Sequence, residues 1–189
     1  MEWILASASP RRKELFGELV ENFDILPAKG EEKVCGNPTP KELVQQLARQ
    51  KAAEVAALPL AKDKGVLGSD TVVAFRGEVL GKPKDEADAA RMLTLLSGQV
   101  HEVYTGVCFS YPDGKGGRIE KVAADCTKVK FNPLTNEQIL AYIATGSPMD
   151  KAGAYGIQDG GLVEGIAGSF SNVVGLPVEL CGRILKEIE

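Results

Sequence analysis

The sequence predicts a mixed α/β protein, one folding unit with a cleft, and three observations carry that expectation. Short β-rich apolar runs alternate with helices that mark their own starts, beginning where Trp3-Ile4-Leu5 passes almost directly into Ser9-Pro10. The chain has 189 residues, enough for one good core, with 44% apolar and 25% charged side chains as in an ordinary globular protein. Two long strand-like segments, 101–111 and 118–131, flank the flexible stretch Pro112-Asp113-Gly114-Lys115-Gly116-Gly117 as the arms of a hairpin would.

Taken in order, Trp3 to Leu5 reads as a short buried strand. Ser9 is then an N-cap, and Pro10 occupies the first helical position, where no amide donor is lost. Leu15, Phe16, Leu19 and Val20 give this helix an apolar face, which leaves Arg11, Arg12 and Lys13 in its first turn. Cations there oppose the helix dipole, each at a cost of roughly 0.3–1 kcal/mol. An anion held by free amides, by Ser7 and Ser9 hydroxyls and by two guanidinium forks would balance them; a solvated basic patch is the alternative.

Phe23 to Leu26 is a second short strand, ended by Pro27 and followed by Lys29-Gly30-Glu31-Glu32, a loop with two adjacent carboxylates. Thr39-Pro40-Lys41-Glu42 forms a capping box, opening a helix expected to run to about Leu58. Its stripe of Val44, Leu47, Ala48 and Val55 includes Lys51, which either meets a partner or snorkels its amine to the surface.

Gly65 to Phe75 joins two β-rich apolar runs across Gly68-Ser69-Asp70. A carboxylate between Val66, Leu67, Val72 and Val73 is costly to bury unpaired, so Asp70 should meet cations, a metal or several donors; hydrogen bonding to amides in a bulge is the structural alternative. Arg76-Gly77 turns the chain into a partner strand ending at Leu80, and Gly81 and Pro83 stiffen the loop that presents Lys82.

Asp85 to Ser97 is a helix with Ala89, Met92, Leu93 and Leu96 inward and Gly98 as its stop. Val103, Thr105, Val107 and Phe109 alternate as in a half-buried strand. His101, the single histidine, has no Ser or Cys motif around it, so a structural role is expected rather than a hydrolase triad. Thr135 to Gln138 is another capping box, and Gly146-Ser147-Pro148 ends the helix it opens. Residues 150–177 are rich in glycine, which suits either ligand contact or tight packing between lobes. Pro177 begins a terminal helix with Leu180, Cys181, Ile184, Leu185 and Ile188 as its core stripe.

A net charge of −4 and a pI near 5.2 argue against a nucleic-acid-binding protein and leave room for a local basic pocket for a small polyanion. Cys35, Cys108, Cys126 and Cys181 are too scattered for a zinc site or a disulfide framework. No run approaches a membrane span and no leader pattern opens the chain, so a reduced, cytoplasmic protein without membrane attachment is expected.

Collected, Ser7, Arg11, Arg12, Glu31, Lys51, Asp70, Lys82 and Gln158 are the unusual polar residues. Cations and carboxylates in that mixture suit a nucleotide polyphosphate with a divalent metal. Neither a Walker A sequence nor a G-x-G-x-x-G fingerprint occurs, which disfavours P-loop and dinucleotide-binding enzymes.

Ser7-Ala-Ser-Pro-Arg-Arg12, Lys51-Ala52, Gly68-Ser-Asp-Thr-Val-Val73, Gly81-Lys-Pro83, Leu96-Ser-Gly98, Thr105-Gly-Val107, Lys151-Ala-Gly-Ala-Tyr-Gly-Ile-Gln158 and Gly168-Ser-Phe-Ser-Asn-Val-Val-Gly-Leu-Pro177 together resemble the Maf-like nucleoside triphosphate pyrophosphatases, in order and over nearly the whole chain. The resemblance implies an elongated mixed α/β sheet flanked by helices, similar to inosine triphosphate pyrophosphatase, with two lobes around a central cleft. It also implies a homodimer, spanning 1–189 as a single domain per chain, and a divalent cation, Mg²⁺ or Mn²⁺. A nucleoside triphosphate would be cut between its α and β phosphates. Carried over by motif, Asp70 is the expected proton acceptor, and Ser7, Arg11, Arg12, Lys51 and Lys82 the phosphate ligands. Glu31 is the expected second metal carboxylate beside Asp70, although Gly30 stands where the family commonly has an Asp. Arg11, Thr71 and Gln158 fall where the branch acting on dTTP and UTP sets base preference. The family's association with septum formation gives an alternative, a nucleotide-binding regulator of cell division with incidental hydrolysis.

Overall fold

The computed structural model describes residues 1–188. A seven-stranded sheet is its spine, with β1 (Trp3–Leu5), β2 (Phe23–Ile25), β3 (Gly65–Phe75), β4 (Glu78–Leu80), β5 (Val100–Pro112), β6 (Arg118–Phe131) and β7 (Val163–Ala167). The order is β2-β1-β3-β5-β6-β7, with β4 joining β3 off that path. β1 pairs in parallel with β2 and β3, and every other pairing is antiparallel. The 14 residues of β6 extend about 45 Å at the strand rise of about 3.3 Å per residue. The expected elongated mixed sheet is present.

β3 changes its neighbour along one edge. Gly65 to Leu67 pair with β1, and Val73 to Phe75 pair with β4. Between them, residues 68–72 face no strand on that side, while their other edge stays in unbroken register with β5, Asp70 opposite Gly106. The strand therefore runs straight through Gly68-Ser69-Asp70, with no bulge there. The unpaired edge opens into the cleft between the lobes.

Helix α2 (Pro40–Ala56) lies across one face of the sheet, started by the expected capping box on Thr39 and Glu42 and ending two residues before the expected Leu58. Gly68 lets it approach: a Cβ there would lie 2.2 Å from the Ala48 carbonyl oxygen. Helices α1 (Pro10–Gly17) and α6 (Val178–Ile188) cover the other face of this lobe, where Trp3, Leu5, Phe16, Leu67, Phe109 and Ile184 form a core. Burying a side chain such as Phe16 completely stabilises the fold by about 1.5–3 kcal/mol. Because helices pack on both sides, β5 is buried on both faces from Thr105 to Ser110, which corrects the expectation of a half-buried strand.

The second lobe is built by α3 (Glu86–Leu96) and α4 (Asn136–Ala144) against the far ends of β3, β5 and β6. The glycine-rich segment after α4 becomes three short 3-10 turns, Ser147–Asp150, Ala152–Ala154 and Ile157–Asp159, and then leads to β7 and to α5 (Phe170–Val174). His101 is buried in this lobe, its Nε2 2.7 Å from the Tyr155 hydroxyl and its ring edge-on to Phe131. That is the structural position expected of it.

Candidate active site

The cleft has a volume of about 800 Å³ and is lined from both lobes. Of the residues expected in a site, Ser7, Arg11, Arg12, Lys51, Asp70, Thr71, Lys82 and Gln158 all line it. Glu31 does not.

Ser9 caps α1 by accepting the Arg12 amide, so the first turn is held at the cleft wall, with Arg11 and Arg12 lining the cleft and Lys13 exposed outside it. The Arg12 guanidinium donates through Nε to the Gly175 carbonyl at 2.8 Å, through Nη2 to Thr71 Oγ1 at 3.0 Å and through Nη1 to Ser7 Oγ at 3.4 Å. Three of its five donor hydrogens are thus spent, and two are left for a ligand. Burial pulls its pKa down from the ordinary arginine value, with Arg11 adding to the shift and Asp70 and Glu32 opposing it. Arg11 lies 3.7 Å from Asp150, on the first of the three 3-10 turns.

Lys51 leaves the apolar stripe of α2 and enters the cleft, where its ammonium meets both Asp70 and Glu32, the latter at 2.9 Å. Snorkelling to bulk solvent is not its role. Asp70 sits on the unpaired stretch of β3, with 14% of its side chain exposed. The carboxylate that joins it at Lys51 belongs to Glu32, the neighbour of the residue expected there. Its loop is oriented by α2: Glu54 accepts from the amides of Lys29 and Gly30, Gln50 from Lys33 and Gln46 from Cys35. Those bonds set the rotation of the loop and bring Glu32 to Lys51.

Lys82 is exposed on the rim of the second lobe, in a loop tied down where the Gly153 amide donates to the Gly81 carbonyl at 3.1 Å. Gln158 is carried by a turn clamped to α4. The Tyr142 hydroxyl accepts from the Gly156 amide at 3.0 Å and donates to Asp159, which also accepts from Ser147 Oγ at 2.6 Å. Sequence reasoning missed Asp150 and Lys151 as cleft residues; Lys151 donates to the Ser147 carbonyl at 2.6 Å and to Asp150 at 2.9 Å. Their signal was that Lys151 opens one of the family motifs, at the head of the glycine-rich segment, with Asp150 immediately before it.

Among the described residues no three His, Cys, Asp or Glu side chains gather as a metal cage. Asp70 and Glu32 together still suit a hard divalent cation of the Mg²⁺ kind, which commonly takes one or two protein carboxylates and completes its shell with phosphate oxygens and water.

Fold and cleft together define a class: an α/β protein whose cleft, lined by Arg11, Arg12, Lys51 and Lys82, opens where a long central strand changes neighbour. The chain belongs to the family of Maf-like proteins, whose model matches residues 2–188. It is 49% identical to a protein of Agathobacter rectalis named dTTP/UTP pyrophosphatase, over 98% of this chain and 95% of that one. It is also 49% identical to a protein of Thermococcus gammatolerans with the same name, over 96% and 94%. The structure of the Staphylococcus aureus Ham1 protein matches over 100% of both chains with a TM-score of 0.57 at 16% identity, and that of a HAM1 protein from Coxiella burnetii over 99% of both with 0.54 at 14%. The fold is thus shared with the Ham1 proteins, and the expected α/β class stands.

Proposed function

We propose that this chain hydrolyses nucleoside triphosphates, dTTP, UTP and modified pyrimidine forms foremost, to the monophosphate and pyrophosphate by attack of water at the α phosphorus. The observation that carries the reading is Asp70, a carboxylate on the unpaired edge of β3, with Lys51 and Glu32 beside it and Arg12 across the same cleft. The names of the relatives at 49% identity support it.

In this reading the phosphates bind to the free N–H groups of Arg12 and to Arg11, Lys82 and Lys51, the last drawn from the carboxylates toward the incoming anion. Asp70, once released by Lys51, accepts the proton of the attacking water. Asp70 and Glu32 would hold the divalent ion, which supplies charge neutralisation on the phosphates and a more acidic water. Gln158, able to donate and to accept, reads the base edge together with Arg11 as a donor and Thr71 as an acceptor. A binding protein alone would have no use for a carboxylate pair placed against the phosphate-binding cations. A homodimer working in the cytoplasm belongs to the same proposal.

Pyrophosphate release from a nucleotide panel, run in water enriched in heavy oxygen, tests the reading. The label is expected in the monophosphate, dTTP and UTP are expected to lead ATP and GTP, and EDTA is expected to abolish turnover. Asp70→Asn should lower kcat by roughly 10²–10⁴ while nucleotide still binds. Near-normal turnover in Asp70→Asn overturns the assignment of Asp70, and label confined to pyrophosphate moves the attack to the β phosphorus.

A further inference from the structure

Behind Arg12 a chain of hydrogen bonds runs from the cleft wall into the buried interior. Arg12 Nη2 donates to Thr71 Oγ1 at 3.0 Å, Thr71 Oγ1 lies 2.9 Å from Thr105 Oγ1, and Thr105 Oγ1 donates to the Asn172 carbonyl at 2.9 Å. Thr105 and Asn172 are fully buried. The direction of every bond follows from its two ends. A guanidinium only donates and a carbonyl only accepts. The hydroxyl hydrogen of Thr105 is therefore committed to Asn172, so Thr71 is the donor between the two threonines. Thr71 in turn receives from Arg12 and has no hydrogen left for a ligand.

The far end is anchored with equal definition. Asn172 Nδ2 gives hydrogens to the Val103 carbonyl and to Thr127 Oγ1, each at 3.0 Å, and Thr127 gives its own to the Ser169 carbonyl at 2.8 Å. Since the Val103 carbonyl can only accept, the amide has one orientation. Its Oδ1 is left buried without a partner among the described residues, a desolvation cost accepted at a point where β5, β6 and α5 meet.

We infer that Thr105 and Asn172 are positioning residues: they fix the polarity of Thr71 and, through it, hold the Arg12 guanidinium with its free N–H groups turned to a polyphosphate. The inference rests on reading the cleft as a phosphate site. A phosphate oxygen finds no donor at Thr71, so the anion is directed to Arg12. Neither Thr105 nor Asn172 lines the cleft, and their effect is carried through Thr71.

The test is calorimetric titration of inorganic tripolyphosphate, in EDTA, into the full-length wild type and its variants. That probe has no base and undergoes no turnover, so failure of the dTTP/UTP reading appears separately, as wild-type enzyme that releases no pyrophosphate from those nucleotides. Thr105→Val should weaken tripolyphosphate binding about 10-fold and Thr105→Ser should return it to within about 3-fold of wild type. In an Arg12→Lys background, adding Thr105→Val should cost less than about 2-fold more, because the two act through one contact. Should Thr105→Val fail to fold, Thr71→Val breaks the same chain one link nearer the cleft and should give the same 10-fold loss. Wild-type affinity in whichever valine variant folds, a loss that Thr105→Ser does not restore, or a full additive loss on Arg12→Lys overturns the inference.

Discussion

The Lys51 ammonium lies between two carboxylates, bonded to Asp70 on its own lobe's central strand and 2.9 Å from Glu32 on the loop that α2 holds in place. The lysine offsets two like charges that meet at its ammonium, and it is the cation bonded to the proposed proton acceptor.

Lys51→Met keeps the stem that packs along α2 and removes the charge. The variant should fold, and its nucleotide affinity should fall roughly 10–100-fold, the range for losing one charge-assisted hydrogen bond of about 1.5–3 kcal/mol. Equilibrium binding of a non-hydrolysable dTTP analogue checks this. Retained affinity would show that the lysine serves the two carboxylates alone.

Glu31 and Glu32 are adjacent and chemically identical, so exchanging each for Gln separates them cleanly. Glu32→Gln should lower kcat/KM about tenfold or more, whereas Glu31→Gln should stay within about twofold of wild type. The reverse order in a steady-state assay would return the second carboxylate to the residue expected from the sequence.

Gly68→Ala should destabilise the protein by about 3 kcal/mol, at the upper end of ordinary overpacking. The added Cβ would meet backbone, the Ala48 carbonyl oxygen at 2.2 Å and the Ala52 amide nitrogen at 2.6 Å, and α2 has no side-chain rotamer with which to yield. Thermal unfolding should show a Tm about 6–12 °C lower. Because α2 also carries Lys51, activity per folded molecule should fall with it.

Local chemistry explains what the sequence made legible. Thr39 and Glu42 cap α2 as their spacing predicts, and the turn at Arg76-Gly77 takes left-handed backbone, φ 50° and 80°, to join β3 to β4. The site was legible as a set of polar residues that no apolar pattern explains, Lys51 on a core stripe and Asp70 inside a strand above all. What stayed hidden depends on tertiary contacts. No local rule chooses between Glu31 and Glu32, since Gln46, Gln50 and Glu54 orient their loop from a helix further along the chain. Thr105 looked like one more position of a half-buried strand because sequence carries no sign of α5 arriving over it.

The last prediction concerns acid stability. Burial pulls the pKa of His101 from 6.5 down to about 4, so the folded protein holds it neutral while the unfolded chain binds a proton below pH 6.5. The sign follows: the neutral-histidine contribution is complete above about pH 6.5 and is lost as pH falls toward 4, below which the folded form is protonated as well. The total is about 3 kcal/mol, with a slope of up to about 1.4 kcal/mol per pH unit within that window. Carboxylates held low by hydrogen bonds, such as Asp113 by the amides of Lys115 and Gly117, lose stability over a lower range and do so in any variant. His101→Gln retains a polar group within reach of the Tyr155 hydroxyl and cannot titrate, so the comparison isolates the histidine. Urea unfolding at a series of pH values should show wild type losing about 3 kcal/mol more than His101→Gln between pH 7 and 4. Parallel curves for the two proteins would mean that His101 takes up its proton over the same pH range folded and unfolded, so that burial does not hold it neutral.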